Sequence, residues 1–169
     1  CTGGDLISLC CDAVDSALFE DTRKAQPAAV AMAIALYANW RSLGLSASTI
    51  VGHGIGEIAA AVAAGSLQIK DAIEFTCARA EAIWKLAPRG EMWAVEGHAE
   101  ALASFRRQLP RDAYVAAVNS SSQITVACHH GDGERVLELI CSCGVSATRL
   151  RAPYPFHSPA MSAAAAVLT

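Results

Sequence analysis

Glycine occupies every second position of the segment Gly52-His53-Gly54-Ile55-Gly56-Glu57. This spacing is typical of tight turns in which a strand passes directly into a helix, because glycine accepts dihedrals and close contacts that other residues do not. A dinucleotide-binding loop, Gly-x-Gly-x-x-Gly, would need glycine where Glu57 stands. A nucleophile elbow, Gly-x-Ser-x-Gly, fits better and presents a hydroxyl beside the first amides of a helix. Gly54 takes the nucleophile's place, so the segment has the frame of a catalytic turn without its reacting atom.

Arg79 is a second candidate, because it shares the apolar face of a predicted helix with Ala72 and Ile83. A guanidinium directed at a core needs an anionic partner, since an unpaired buried charge is costly. Three interpretations stay open: a salt bridge to Glu57 or another local carboxylate, a side chain that reaches around to water, or a clamp for the carboxylate of a ligand.

His157 lies in the proline-bounded segment Tyr154-Pro155-Phe156-His157-Ser158-Pro159. A histidine in such a loop is a candidate general base, and the alternative is a structural loop residue. The segment Cys128-His129-His130 predicts a polar turn rather than a metal site. Adjacent residues at a strand end point to opposite faces, and no second ligand pair follows.

The predicted elements place the glycine-rich segment between a β-branched strand, residues 48–51, and a short apolar helix, residues 58–64. Longer helices are predicted over residues 5–19, 28–43 and 69–86. Pro27 would stand in the first turn of the second of these helices, and Gly44 just beyond its end.

After residue 88 the pattern changes to strands 92–95, 114–118, 123–128 and 145–150 and to helices 98–109 and 134–143, with His98 at the surface. The order βαββαβ is that of a ferredoxin-like unit. The fold class predicted is α/β, with an α/β-hydrolase-like core and an inserted ferredoxin-like subdomain. Residues 1–88 form the first part of the large subdomain, residues 89–151 the small subdomain, and residues 152–169 return to the large one.

Composition excludes several classes of function. The chain has 169 residues, 53% of them hydrophobic and 17% charged, with a net charge of −3. No basic stripe suits a nucleic acid and no apolar run reaches membrane-spanning length. Seven cysteines at irregular spacings favour reduced thiols and a cytoplasmic location.

Together these residues resemble the acyltransferase domain of polyketide and fatty-acid synthases, the malonyl-CoA:acyl-carrier-protein transacylase family. Gln26-Pro27-Ala28 resembles the start of a family helix, and Gly52 to Glu57 resembles the elbow Gly-His-Ser-x-Gly-Glu. Arg79 and His157 stand where the family has its carboxylate-binding arginine and its catalytic histidine.

The resemblance implies transfer of a malonyl-type unit from coenzyme A to an acyl carrier protein through an acyl-enzyme. It implies an oxyanion donor at Ile55 and substrate contacts from Gln26, His53, Arg79, Tyr154 and Phe156. The CoA thioester and the carrier's phosphopantetheine are substrates, no cofactor or metal is expected, and neighbouring synthase domains such as a ketosynthase are expected partners. Phe156 and Ile55 favour malonyl, whereas Tyr154 is similar to the methylmalonyl form.

The chain departs from the family pattern at Gly54, which has no hydroxyl, so the domain is expected to be inert in chemistry. No counterpart of the family's first strand precedes Cys1, and the family continues where Thr169 ends the sequence. The domain is therefore expected to be incomplete at both ends and to need a complement, either another chain or flanking sequence.

Four functional hypotheses follow from these features. The first is an acyltransferase that has lost its nucleophile, and the second is a non-catalytic acyltransferase-like scaffold or docking domain in a megasynthase. The third is nucleotide binding at Gly52 to Gly56, with Glu74 as the acidic partner, and the fourth is a residual hydrolase that uses Cys77.

Overall fold

The computed structural model describes residues 20–168. Contacts divide the chain into two compact units, the first ending at Lys85 and the second beginning at Leu86. Residues 152–167 group with the second unit, and the return of residues 152–169 to a large subdomain stays a prediction, as do the bounds at 88 and 151. The helix predicted over residues 5–19 lies outside the described residues.

The first unit begins with helix α1, Thr22–Ser42, which starts earlier than predicted. Asp21 caps it by accepting a hydrogen bond from the Arg23 amide at 3.0 Å, so the helix is nucleated before Pro27. The prediction that Pro27 stands in the first turn is therefore wrong, and Pro27 lies inside the helix.

The prediction that Gly44 stands just beyond the end of α1 is confirmed. Gly44 follows the last turn with φ +87°, and its N–H donates to the Arg41 carbonyl at 3.0 Å. Leu45 N–H donates to the Trp40 carbonyl at 3.2 Å, which completes a glycine-terminated helix end.

The two halves of α1 differ in burial. Its first half buries Gln26 and Val30, whereas Met32, Leu36 and Trp40 are 39%, 51% and 54% exposed. These three residues recur every fourth position, so the second half of α1 presents an apolar stripe.

The strand predicted over residues 48–51 is wrong, since this segment is irregular and Val51 is 86% exposed. A strand forms only where a neighbour accepts and donates its backbone hydrogen bonds, and no neighbouring strand lies beside it among residues 20–168. Helix α2, Gly56–Ala63, follows the glycine-rich turn, and α3 spans Ile69–Leu86 as predicted. On the apolar face of α3, Ala72, Thr76, Ala80 and Ile83 are buried, Ile73 is half-buried, and Ile69, the first residue, is exposed.

The second unit has the predicted order βαββαβ. Its elements are β1, Gly90–Glu96; α4, Ala99–Gln108; β2, Ala113–Val118; β3, Gln123–His129; α5, Gly133–Cys143; and β4, Ser146–Arg149. The sheet is antiparallel with strand order β2-β3-β1-β4, which confirms the ferredoxin-like topology. A 3-10 turn, Pro159–Met161, and a short helix α6, Ser162–Ala165, follow.

The core of this unit lies between one face of the sheet and the two helices. Trp93 pairs with Val126 across β1 and β3, and both pack with Phe105 of α4 and Val136 of α5. Alternate residues of each strand supply this face, as the period of two predicts.

Four cysteines of the described chain, Cys77, Cys128, Cys141 and Cys143, are free thiols, in agreement with the sequence. Burial raises the pKa of Cys128 to about 11, so this thiol is neutral at physiological pH. Between residues 20 and 168, no helix has the length and apolar character that crossing a bilayer requires.

Candidate active site

The glycine-rich turn reverses the chain within a few residues and leads directly into α2. Gly56 N–H donates to the His53 carbonyl at 3.0 Å, and Glu57 N–H donates to the Gly54 carbonyl at 3.1 Å. Gly54, at the centre, has φ +57°, a left-handed conformation that residues with a side chain rarely adopt. The nucleophile of an elbow sits on such a sharp, strained turn.

Gly52 is required because the turn folds back on itself. A Cβ at Gly52 would lie 2.6 Å from the Glu57 nitrogen and 2.7 Å from the Gly56 oxygen. Gly56 is different, since nothing lies within 4 Å of a Cβ built there. The first glycine of the motif is therefore needed for close approach and the last is not.

The amide of Ile55 stands at the start of α2, where a helix presents unpaired donors and a partial positive charge. In the described part of the chain this N–H meets no acceptor. Its position suits the oxyanion role that the resemblance implies, and that role stays a prediction. His53, beside the turn, is exposed.

Arg79 and Gln26 are brought together by α3 and α1, although 53 residues separate them in the sequence. Arg79 Nη1 donates to Gln26 Oε1, and Gln26 Nε2 donates to Thr22 Oγ1. Gln26 and Thr22 are buried, so the amide is fixed from both sides. The alternative in which Arg79 forms a salt bridge with Glu57 or another local carboxylate is wrong for residues 20–168, because its partner is this neutral amide.

The charge of Arg79 is therefore not neutralised within the described residues. Its side chain is half-buried, and burial lowers the pKa of the guanidinium below its usual value. An arginine nevertheless stays protonated at neutral pH. A cation with a neutral partner in partly desolvated surroundings favours an anionic ligand.

His157 lies in a tightly fixed loop of the second unit. Its φ is +59°, and it alone among the non-glycine residues of the described chain has a positive φ. Tyr154 and Pro155 are buried before it and Ser158 is buried after it, while the imidazole itself is exposed. Strained backbone of this kind concentrates at functional sites, because it persists only where the surroundings hold it.

Arg89 and Gly90 fix the start of this loop. Gly90 N–H donates to the Pro153 carbonyl at 3.1 Å, and a Cβ at Gly90 would lie 2.6 Å from Pro155 Cδ. The guanidinium of Arg89 stacks 4.7 Å from the centre of the Tyr154 ring. Tyr154 contacts the Phe156 ring, with centroids 5.9 Å apart, and its buried hydroxyl has no hydrogen-bond partner in the described chain.

Each unit thus gathers part of the predicted site. The first brings Gln26 and Arg79 together and holds the turn at Gly54, and the second holds Tyr154, Phe156 and His157. Sequence reasoning missed three supporting residues: Thr22, Arg89 and Ser158. Thr22 stands one helical turn before Gln26 and would have been found if the helix start had been placed at Asp21.

Residues 7–169 match the family described as acyl transferase domain. The chain belongs to this acyl transferase family. Among relatives, it is 40% identical over 140 residues to 5-methyl-1-naphthoate synthase of Streptomyces sahachiroi, a match that covers 80% of this chain and 8% of that protein. It is 35% identical over 147 residues to erythronolide synthase EryA3 of Saccharopolyspora erythraea, covering 85% of this chain and 4% of that protein. The domain spans less than a tenth of the length of these relatives.

Solved structures lead to the same family. The acyltransferase domain from the second module of the salinomycin polyketide synthase matches with a TM-score of 0.83 and 29% identity, covering 99% of this chain and 39% of that one. A malonyl-transacylase solved with its type II polyketide acyl-carrier protein matches with a TM-score of 0.84 and 26% identity, covering 98% and 56%. These matches confirm the α/β fold and the resemblance to polyketide synthase acyltransferase domains and malonyl transacylases.

Proposed function

We propose that this acyltransferase domain recognises a malonyl-type acyl-CoA through Arg79 and that Gly54 prevents it from forming an acyl-enzyme. The observation that supports this most directly is the pairing of Arg79 with Gln26. A buried amide orients the guanidinium without neutralising it, which leaves its charge for the free carboxylate of the substrate.

The guanidinium suits this role for a geometric reason. Two parallel N–H groups can donate to both oxygens of one carboxylate, and this bidentate pairing is stronger than a neutral hydrogen bond. Arg79 Nη1 is oriented by Gln26, so rotation of the planar group is restricted before any ligand arrives. A lysine at this position would offer a point charge with neither property.

The chemistry that the resemblance implies needs a hydroxyl at position 54. In that reaction a serine oxygen attacks the thioester carbonyl carbon, and His157 takes the hydroxyl proton and returns it to the departing CoA thiolate. The phosphopantetheine thiol of an acyl carrier protein then attacks the ester, accepts the malonyl group and releases the serine. The Ile55 amide would stabilise the oxyanion of each tetrahedral intermediate.

Glycine supplies no atom for this attack. Removing the nucleophile from a serine-histidine site lowers turnover by a factor on the order of 10⁶. Substrate recognition at Arg79 does not depend on that atom, so we expect binding to persist where transfer does not.

The proposed partners are an acyl carrier protein and neighbouring synthase domains such as a ketosynthase. Support comes from the fold shared with a malonyl-transacylase that was solved in complex with its acyl-carrier protein. The proposed substrates are the CoA thioester and the carrier's phosphopantetheine.

Calorimetric titration with malonyl-CoA and acetyl-CoA tests the proposal, since only the first carries a free carboxylate. A charge-assisted hydrogen bond contributes about 1.5 to 3 kcal/mol, so malonyl-CoA should bind about 10- to 100-fold more tightly. Arg79→Gln should remove this preference and Arg79→Lys should retain part of it, while Arg111→Gln, at an exposed arginine, should leave it unchanged. Equal binding of the two thioesters by the unchanged domain would contradict the proposal.

A second candidate function is a non-catalytic scaffold or docking domain, and the glycine at position 54 favours it. On this hypothesis carrier protein binds, neither CoA thioester does, and Arg79→Gln changes nothing. Titration of the same variants with holo acyl carrier protein separates the two candidates.

A further inference from the structure

The backbone at His157 is held by a hydrogen bond that passes directly across it. Ser158 Oγ donates to the Pro155 carbonyl at 2.6 Å, and the serine side chain is buried. Phe156 and His157 therefore lie inside a short ring that Ser158 closes. Phe156 N–H donates to the Tyr154 carbonyl at 2.9 Å, which tightens the same ring from its other side.

Both ends of this ring are anchored. Pro155 packs against Gly90, where a Cβ would lie 2.6 Å from Pro155 Cδ. After the ring, Met161 N–H donates to the Ser158 carbonyl at 3.1 Å, and Pro159 begins the 3-10 turn. The ring is therefore anchored on both sides, and the Ser158 hydrogen bond is the contact that spans the two residues between them.

The imidazole of His157 has no anchor of its own. It is exposed, and in residues 20–168 it makes no hydrogen bond or ion pair. The direction in which it projects is therefore set by its backbone. A left-handed φ projects a side chain quite differently from an extended or right-handed one.

We infer that Ser158 is a positioning residue: its hydroxyl keeps His157 in the left-handed conformation and thereby aims the imidazole for proton transfer. The catalytic part of this inference rests on the proposed function, whereas the conformational part does not. Loss of the hydroxyl leaves the Pro155 carbonyl without its partner and removes the constraint across His157.

The chain provides a control four residues beyond the end of the ring. Ser162 Oγ donates to the Pro159 carbonyl at 2.6 Å, with the same spacing and the same residue types as Ser158 and Pro155. That hydrogen bond does not span His157. Ser162→Ala therefore removes a hydrogen bond of the same length and spacing, at an exposed site, without touching the constraint.

The conformational part is tested by nuclear magnetic resonance on the unchanged domain and on Ser158→Ala, Ser158→Thr and Ser162→Ala. A positive φ brings the amide proton close to Hα, so His157 should give a strong intraresidue NOE. We expect Ser158→Ala to lose it, and Ser158→Thr, which keeps a hydroxyl, and Ser162→Ala to retain it. A strong NOE in Ser158→Ala would overturn the inference whether or not the domain can transfer acyl groups.

The catalytic part is tested in a Gly54→Ser background by following acyl-enzyme formation against pH. Misplacing a catalytic group by about 1 Å costs about 100-fold, so Ser158→Ala should lower kcat by about that factor with KM unchanged. Ser158→Thr should recover most of the rate, and Ser162→Ala should match its parent. A fall in kcat that Ser162→Ala reproduces would overturn the positioning role. Inactivity of the Gly54→Ser parent would count against the proposed function alone, because the NOE measurement still decides the conformational part.

Discussion

Two positions of the molecule share a left-handed backbone but differ in the residue that occupies it. Gly54 has φ +57° and His157 has φ +59°. Glycine adopts this conformation without strain, whereas a residue with a Cβ is strained there by about 1 kcal/mol or more. Strain is therefore present at His157, the predicted general base, and absent at Gly54, the predicted nucleophile position.

The two turns are also held in different ways. Backbone hydrogen bonds and the close approach at Gly52 define the glycine-rich turn. Buried side chains, the Ser158 hydroxyl and the stacked Arg89 define the His157 loop. The glycine-rich turn should consequently keep its shape whatever side chain is placed at position 54.

The largest effect is expected where each turn relies on a missing Cβ. Gly52→Ala and Gly90→Ala should each lower the free energy of unfolding by about 3 kcal/mol, because the new methyl meets backbone atoms that cannot move away. Denaturant titration measures this loss. Gly56→Ala is the control and should leave stability nearly unchanged, since nothing lies within 4 Å of its Cβ. Equal losses at positions 52 and 56 would show that close approach does not hold the glycine-rich turn.

A smaller effect with opposite signs is expected at the two left-handed positions. Gly54→Ser and Gly54→Ala should each lower the free energy of unfolding by about 1 to 2 kcal/mol, because a Cβ enters a left-handed conformation. His157→Gly should raise it by about 0.5 kcal/mol, since relief of strain is partly offset by the greater freedom of glycine in the unfolded chain. Denaturant titration measures both changes in the free energy of unfolding. Stabilisation by Gly54→Ser would show that the two positions do not differ in backbone strain as described.

The smallest effect concerns the stacking of Arg89 on Tyr154. An exposed cation–π contact contributes about 0.5 kcal/mol, so Arg89→Ala should lower stability by that amount. Arg111→Ala, an exposed arginine of the same unit, should have no measurable effect. Equal melting curves for the two variants would show that side-chain stacking does not hold the His157 loop.

Local patterns predicted most of the elements. The bounds of α3 and the order βαββαβ follow from periodicities of 3.6 and 2 together with glycine and proline breaks, which act over a few residues. The start of α1 was misplaced because proline usually stands in the first turn of a helix. Here the Asp21 cap starts the helix earlier, and Pro27 lies inside it. The strand at residues 48–51 was wrong because strands, unlike helices, need a partner that local sequence does not reveal.

The sequence selected the candidate residues of the site, but it did not reveal the contacts that they make. The glycine spacing and the resemblance selected Gly54, Arg79 and His157, and their roles remain predictions. The partner of Arg79 depends on how α1 meets α3, 53 residues apart, and spacing suggested Glu57 or another carboxylate instead. The Ser158 hydroxyl was overlooked because a serine before a proline is common in loops and indicates no particular partner.

The decisive measurement is intact-mass spectrometry of the domain after incubation with malonyl-CoA. The variants are Gly54→Ser and Gly54→Ala, compared with the unchanged chain. If the glycine-rich turn is a working elbow that lacks only a hydroxyl, the serine variant should gain the mass of one malonyl group and the other two should gain none. A serine variant that stays unmodified while still binding malonyl-CoA would contradict this, and would show that the site has lost more than its nucleophile.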